Sequence, residues 1–173
     1  MSYSCASFLV FLLFNFHVSW GLCQSGSRQF IVDVVSVGSE LIADAHLLTI
    51  RNLNVSTAGL SGTELSIDPV GSSDAGLMKI SSTSNRVVRI SFIPNEIIYS
   101  EQNDSGKVEV EYKVSGCSIE NQSASVLFET PNSTVTLHET SGSYFLWIGG
   151  NFNLNNARSG RYKSQFILTI DEL

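Results

Sequence analysis

The chain has 173 residues, of which 43% are hydrophobic and only 15% are charged, with a formal net charge of −6 and a sequence pI near 4.9. A hydrophobic fraction of this size supports a packed core and excludes wholesale disorder. The Lys and Arg residues form no cluster, so the sequence lacks the basic patch that nucleic-acid binding requires.

The N-terminal segment predicts export. Residues 8–14 form an unbroken apolar run, and no formally charged side chain occurs as far as Trp20. The run is shorter than the roughly 20 apolar residues that a spanning helix needs, and small residues follow it. We therefore predict that residues 1–23 are a cleaved signal peptide and that the protein acts in the periplasm, on the cell surface or outside the cell.

The predicted cleavage site lies before Gln24, with Gly21 and Cys23 at positions −3 and −1. Residues 24–173 would then form a single domain. Only the signal segment that precedes it is expected to contact a membrane. The leading segment contains no Lys or Arg, which departs from the usual signal pattern. An N-terminal membrane anchor and a lipidated Cys23 are the alternatives.

Cysteine usage argues against an internal disulfide. Cys5 and Cys23 would leave with the signal peptide, so Cys117 would be the single thiol of the mature chain. It lies in the loop-like stretch SGCSIEN and is predicted to be a partly shielded small residue. A catalytic thiol would need a nearby base, and neither His46 nor His138 lies in a nucleophile motif.

The mature chain reads as short strands separated by Gly-, Ser- and Asn-rich turns. The predicted strands, in chain order, are Phe30–Val37, Ala45–Val55, Thr63–Pro69, Ala75–Ser81, Asn85–Ile93, Lys107–Val114, Ala124–Glu129, Ser133–Glu139 and Tyr144–Ile148. Outside the signal segment no window of a dozen residues carries the apolar stripe of an amphipathic helix. This pattern predicts an all-β, antiparallel β-sandwich.

The strand KVEVEYKV carries the clearest alternation. Its charged side chains, at Lys107, Glu109, Glu111 and Lys113, all fall on one face. The residues between them are apolar or aromatic and fall on the other face: Val108, Val110, Tyr112 and Val114. A period of two with a charged outer face is typical of a half-solvated antiparallel sheet.

The closing segment, LWIGGNFNLNNARSGRYKSQFILTI, is predicted to form a terminal β-hairpin. Gly149-Gly150 permits a sharp bend or bulge, and Gly160 suits a turn with positive φ. Phe152 and Leu154 point to one side of the strand before the turn. Five residues share the predicted core face of the last strand: Tyr162, Ser164, Phe166, Leu168 and Ile170.

This segment resembles the closing signature of a bacterial secreted family, domain of unknown function forty-four-zero-two. The matching positions are Trp147, Gly149, Gly150, Phe152, Leu154, Gly160, Tyr162, Phe166, Leu168, Thr169 and Ile170. Ser164 stands where the family usually has Gly. Upstream positions also fit, namely Thr63, Ile67, Pro69, Gly71, Asn85, Val88 and Ile90. Leu53-Asn54 departs from the Phe-Gly that the family's opening strand carries.

The resemblance implies an immunoglobulin-like sandwich grouped with pilin and adhesin domains. Such subunits commonly assemble when one subunit donates a β-strand to the sheet of its neighbour. The expected partners here are other copies of this chain or other surface subunits, bound by strand pairing. The segment from Gln29 to Val37 is the candidate donor because it is apolar, rich in β-branched residues and close to the new N-terminus. Its key residues are Phe30, Val32, Val34 and Val35. Pairing of this segment within its own domain is the preferred alternative.

Signals for chemistry are weak. The chain has no phosphate loop, zinc motif or nucleophile elbow, and we expect neither enzymatic activity nor a cofactor. The turn around Asp104 lacks the ligand spacing of a calcium loop. Trp147 with Tyr144 and Phe145 would serve either as an aromatic platform for sugar or as core. Asn-x-Ser/Thr sequons begin at Asn54, Asn103, Asn121 and Asn132. They would be glycan candidates in a eukaryotic secretory pathway, but we prefer the interpretation that they arise from composition in an Asn- and Ser-rich bacterial sandwich.

Two functions therefore follow as expectations. The first is an exported structural or adhesive surface protein, a pilin-like subunit or a fibre-associated domain without catalytic activity. The alternative is a free secreted binding module that recognises carbohydrate or another surface through its loops.

Overall fold

Twelve β-strands and one 3₁₀ turn (Gln122–Ala124) make up the described part of the chain. The computed structural model describes residues 30–40, 45–56, 62–102, 105–139 and 142–173. The strands are β1 (Phe30–Glu40), β2 (Ala45–Arg51), β3 (Leu53–Ser56), β4 (Glu64–Ile67), β5 (Gly76–Ser82), β6 (Arg86–Phe92), β7 (Asn95–Tyr99), β8 (Lys107–Cys117), β9 (Val126–Leu127), β10 (Asn132–Leu137), β11 (Ser143–Asn153) and β12 (Gly160–Glu172). The predicted signal peptide lies outside the described residues.

The strands form two packed sheets. One has five strands in the order β10-β6-β12-β1-β3. The other has seven: β2-β5-β11-β8-β7 in order, with β4 also paired to β11 and β9 also paired to β8. Neighbouring strands are antiparallel except β1 and β12, which run parallel. The predicted all-β sandwich is confirmed, with one parallel pair that the antiparallel prediction did not contain.

The core lies between the sheets and follows the alternation of the sequence. In β8 the apolar face is buried as predicted, with Val108 and Val114 fully inaccessible. Phe166 of β12 packs edge-on across the sandwich against Tyr112, with ring centroids 4.9 Å apart. It also packs in a tilted arrangement against Phe92 of its own sheet, with centroids 5.6 Å apart. Aromatic rings from both sheets therefore interlock at the centre, an arrangement that stabilises the packing beyond burial alone.

The predicted terminal hairpin is wrong. β11 lies in the seven-stranded sheet and β12 in the five-stranded sheet, so the turn between them crosses from one layer to the other. Both strands still bury the faces assigned from the sequence. Alternation identifies which side of a strand is apolar, but it does not identify the sheet that receives the strand, because either layer covers the same core.

The predicted strand Ala45–Val55 also divides between the sheets. β2 pairs with β5 and β3 pairs with β1, and Asn52 lies at the break. Ser36 of β1 lies next to this break, and side chains replace the missing backbone partners there. Its N–H donates to Asn52 Oδ1 at 3.3 Å, and its carbonyl accepts from Thr49 Oγ1 at 2.7 Å.

Three local assignments differ from the sequence analysis. β7 is not among the strands predicted from the sequence; in it, half-buried Glu96 points inward while Ile97 is 47% exposed. This inversion removes the usual apolar-in, polar-out signal. The strand predicted at Ala124–Glu129 shortens to two residues. Cys117 is the last residue of β8 and is half-buried, and it does not lie in a loop as predicted.

Tyr162 ties the start of β12 to the preceding turn. Its side chain is fully buried, its hydroxyl donates to the carbonyl of Arg158 at 2.8 Å, and the N–H of Arg158 donates to the same hydroxyl at 2.8 Å. This contact to backbone four residues upstream has the character of the tyrosine corner of immunoglobulin sandwiches.

Replacement of Tyr162 by Phe should lower the free energy of unfolding by about 2 kcal/mol, because two backbone groups lose their partner while the ring stays in place. Urea unfolding followed by tryptophan fluorescence measures the change. Tyr99→Phe is the matched control, since the Tyr99 side chain is 60% exposed and a change within about 0.5 kcal/mol is expected. Equal losses in both variants would contradict the proposed role of the Tyr162 hydroxyl.

Candidate functional site

The candidate strand-donation segment is an internal strand of the five-stranded sheet, one place from its edge. β1 lies between β12 and β3, in register with β12 from Phe30 opposite Gly160 to Glu40 opposite Ile170. Val32 and Val34 are fully buried, whereas Val35 is 43% exposed on the outer face. The side chain of Phe30 lies outside the described residues. In this structure the segment completes the sheet of its own chain, which is the alternative that the sequence analysis preferred.

The contacts that hold β1 are mainly apolar burial and backbone pairing. On the outer face its Asp33 lies 3.6 Å from Arg161 of β12, an exposed ion pair that contributes little to stability. The hydroxyl of Ser36, in contrast, is buried with no hydrogen-bond partner. An unpaired buried hydroxyl costs about 1–3 kcal/mol. The backbone of β1 is thus firmly paired, but the strand carries one buried hydroxyl without a hydrogen-bond partner among the described residues.

The closing motif is structural. Its apolar members are at most 3% exposed: Trp147, Phe152, Leu154, Tyr162, Phe166, Leu168 and Ile170. Gly160 has φ +153°, a conformation that favours glycine. Gly149 and Gly150 allow neighbouring backbone to approach β11, since an added Cβ would meet Ile67 O at 2.2 Å or Glu111 O at 2.5 Å.

Of the two alternatives for the aromatic cluster at Trp147, the structure has the core and not the sugar platform. Trp147 is 3% exposed and Phe145 is 7% exposed, so neither ring offers a face to a ligand. The segment after β4 runs close to this region, and its Pro69 carbonyl accepts from Ser115, which pairs with Trp147, at 3.2 Å. Tyr144 is half-buried, and burial raises the pKa of its hydroxyl.

A groove lies on the outside of the seven-stranded sheet. It is open to solvent, has a volume of about 960 Å³, and is lined by three consecutive residues from each of four neighbouring strands. In spatial order these stretches are 64–66 of β4, 151–153 of β11, 109–111 of β8 and 95–97 of β7. We call this feature the four-strand groove.

Strand register arranges the outward side chains of the groove in two rows. One row runs Ser66, Asn151, Glu111, Asn95, and the other runs Glu64, Asn153, Glu109, Ile97. Cross-strand neighbours lie close enough to interact directly. The surface is therefore rich in amides and carboxylates, with one exposed aliphatic side chain at its edge.

Hydrogen bonds order the first row. Ser66 Oγ donates to Asn151 Oδ1 at 2.9 Å, and Asn151 Nδ2 donates to Glu111 Oε2 at 2.9 Å. Next to the second row, Lys107 of β8 donates from Nζ to Glu109 Oε1 at 2.9 Å, and this bond raises the pKa of Lys107. The orientation of the Asn151 amide is thus set by partners on both sides.

Glu96 joins the two sheets at the rim of the groove. Its carboxylate accepts from the Tyr112 hydroxyl at 2.8 Å and from the Ser164 hydroxyl. Burial, and then the hydrogen bond to Glu96, raises the pKa of Tyr112 well above its usual range, so the phenol remains a donor. Glu96 is not among the candidate residues predicted from the sequence, because no local pattern indicates that it points inward.

Sites for other chemistry do not emerge from the described residues. Within residues 30–40, 45–56, 62–102, 105–139 and 142–173, no group of three or more His, Cys, Asp or Glu side chains is placed to hold a metal ion. Asp104 and the sequon at Asn103 lie outside these ranges, while Asn54, Asn121 and Asn132 are exposed. No helix in the described part of the chain is long and apolar enough to cross a membrane.

Comparison with known proteins assigns no family. No protein-family model matches the chain, and no curated protein matches it significantly. The resemblance of the closing strands to a bacterial secreted family therefore rests on the motif residues themselves.

Proposed function

We propose that this protein is an exported structural or adhesive domain of the cell surface without catalytic activity, either a pilin-like subunit or a fibre-associated domain. The observation that best supports the proposal is the position of β1. The strand nearest the predicted mature N-terminus fills the slot between β12 and β3 and buries Val32 and Val34 in the core.

The slot has the properties that strand exchange between copies requires. Without β1, one long edge of β12 and the edge of β3 would lack backbone partners, and such edges are templates for another chain. The β1 of a neighbouring copy has the same sequence, so it fits the same register and buries the same side chains. Exchange of an identical element is a low-cost route to assembly.

Export is supported by the N-terminal sequence, and a surface role by the resemblance of the closing motif. The apolar run of residues 8–14 and the predicted cleavage before Gln24 would place the domain beyond the inner membrane. The closing motif resembles that of a secreted family grouped with pilin and adhesin domains. Both lines favour a structural or adhesive domain over an enzyme.

Crosslinking between β1 and β12 tests strand exchange directly. Val35 and Gln165 lie opposite each other and are both exposed, and adjacent strands about 4.8 Å apart suit a disulfide. We expect a Val35→Cys, Gln165→Cys variant in a Cys117→Ser background to be exported, to form fibres in negative stain, and to give a ladder of covalent oligomers on non-reducing gels. The ladder arises because each β1 pairs with the β12 of another copy.

The control keeps the cysteine at position 35 and places the second cysteine out of register with it. Val35→Cys with Arg161→Cys, also in the Cys117→Ser background, should give no ladder, because Arg161 lies opposite Ile31. Monomers in which the cysteines introduced at positions 35 and 165 form only an internal disulfide, together with the absence of fibres, would refute assembly by strand exchange. Retention of the protein in the cytoplasm would refute the surface role altogether.

A further inference from the structure

We propose that the four-strand groove binds an uncharged oligosaccharide. The inference is independent of strand exchange, since the groove lies on the seven-stranded sheet and β1 belongs to the other sheet. A volume of about 960 Å³ is at the upper end of the range for small-molecule sites. The groove is thus large enough for several sugar units lying along the sheet face.

The floor of the groove cannot recruit a strand. β11 pairs with β8 on one side and with β4 and β5 on the other, and β8 pairs with β11 and β7 over the groove residues. Their backbone N–H and C=O groups are already used in the sheet. A ligand on this floor must therefore be recognised by side chains, as sugar hydroxyls are.

The polar side chains suit hydroxyl groups. Asn151 and Asn153 offer amide donors and acceptors, and Glu111 offers a carboxylate acceptor, in adjacent positions across the sheet. The Asn151 amide is already oriented by Ser66 and Glu111, so binding would not need to order it. Such preorganisation lowers the entropic cost of recognition.

Apolar contacts for the ring faces of a sugar come from β7. Ile97 and Tyr99 point outward on the same side of this strand and are 47% and 60% exposed. Ile97 lines the groove, and Tyr99 extends the surface by one cross-strand row, opposite Lys107. An exposed aromatic ring at the end of a groove lined by amides and carboxylates adds apolar contact for the C–H faces of a carbohydrate to polar contact for its hydroxyls.

Charge selects against acidic ligands. Glu64, Glu109 and Glu111 all line the groove, while Lys107 at its end is already bonded to Glu109. The chain as a whole carries a formal charge of −6. A polyanion would meet repulsion from the groove and from the whole molecule, whereas a neutral glycan would not.

Isothermal titration of the full mature chain with cellohexaose, xylohexaose, mannohexaose and chitohexaose, and with hexagalacturonate as the anionic probe, tests the proposal. We expect saturable binding of at least one neutral probe and none of hexagalacturonate. Asn151→Ala and Tyr99→Ala should each weaken that binding about tenfold or more, the loss expected for one well-placed contact.

Gln165→Ala is the matched control, because Gln165 is exposed on the outer face of the opposite sheet. It should leave binding unchanged, and a thermal melt of each variant shows whether the fold is intact. If Asn151→Ala fails to fold, Tyr99→Ala still decides, since Tyr99 is mostly exposed.

Four outcomes of the sugar titrations would overturn the proposal: no binding of any neutral probe, binding that both groove variants retain, stronger binding of hexagalacturonate, or binding that Gln165→Ala also removes. A groove occupied instead by a second copy would appear as concentration-dependent dimers that Tyr99→Ala dissociates without any probe present, and this too would overturn it. Failure of the sugar titrations leaves the Val35–Gln165 crosslinking result unaffected, so the two proposals fail separately.

Discussion

Replacement of Gly149 by Ala should lower the free energy of unfolding by about 3 kcal/mol, the upper part of the usual range for overpacking a core. A Cβ at this position would lie 2.2 Å from the carbonyl oxygen of Ile67 and 3.0 Å from Pro69 Cδ. Neither neighbour is the end of a flexible side chain. Ile67 belongs to β4, which pairs with β11 at Gly150, so relief of the clash requires displacement of a paired strand.

Equilibrium unfolding in guanidinium chloride, with the slope of the transition compared between variants, measures the loss. Gly62→Ala is the matched control, because a Cβ there would meet its nearest heavy atom, Glu64 O, at 3.7 Å, an ordinary contact. We expect a change within about 0.5 kcal/mol for the control. If Gly149→Ala is as stable as Gly62→Ala, the close approach of β4 to β11 is incorrect.

Replacement of Phe166 by Ala should cost about 4 kcal/mol, because it removes a ring from the centre of the sandwich and leaves a cavity. Phe166 is 2% exposed and contacts the rings of Tyr112 and Phe92, one from each sheet. Those partners would lose dispersion contacts and edge-to-face geometry in addition to the buried area of the deleted ring. Thermal and denaturant unfolding should both show the loss.

The neighbouring residue provides the control for this substitution. Ile167 follows Phe166 in β12 but points outward and is 49% exposed, so Ile167→Ala should cost less than about 1 kcal/mol. The pair thus tests the face assignment of the strand. Similar costs for the two substitutions would mean that β12 does not have one buried and one solvated face.

Much of the fold could be predicted from the sequence. The bend or bulge predicted at Gly149-Gly150 is absent, because β11 stays in register with β8 through both glycines. The alternation in β8 and β12, in contrast, identified the buried face of each strand. These features are local, since a strand with a period of two has only one way to bury its apolar side. The all-β class and the main strands followed for the same reason.

The candidate sites depended on contacts that no local pattern contains. The four-strand groove is built from stretches 64–66, 95–97, 109–111 and 151–153, which register alone brings side by side. Trp147 also depends on tertiary contacts: it points to the outer face of its strand, but other parts of the chain cover it, so that its side chain is 3% exposed. The role of Glu96, which points inward on β7, is to accept hydrogen bonds from Tyr112 and Ser164, and only the tertiary structure brings these residues together.

By itself, then, the sequence determined which side of each strand is apolar and hence that the chain folds as a β-sandwich. Only the tertiary structure decided that β11 and β12 belong to different sheets, that β1 inserts parallel to β12, and that polar side chains line a groove. The reason is physical. The hydrophobic effect is non-directional, so an apolar strand face is stabilised by burial against either sheet. It therefore determines which face of a strand points inward but not which strands are its neighbours. That choice is made by backbone pairing and side-chain fit between segments far apart in the chain.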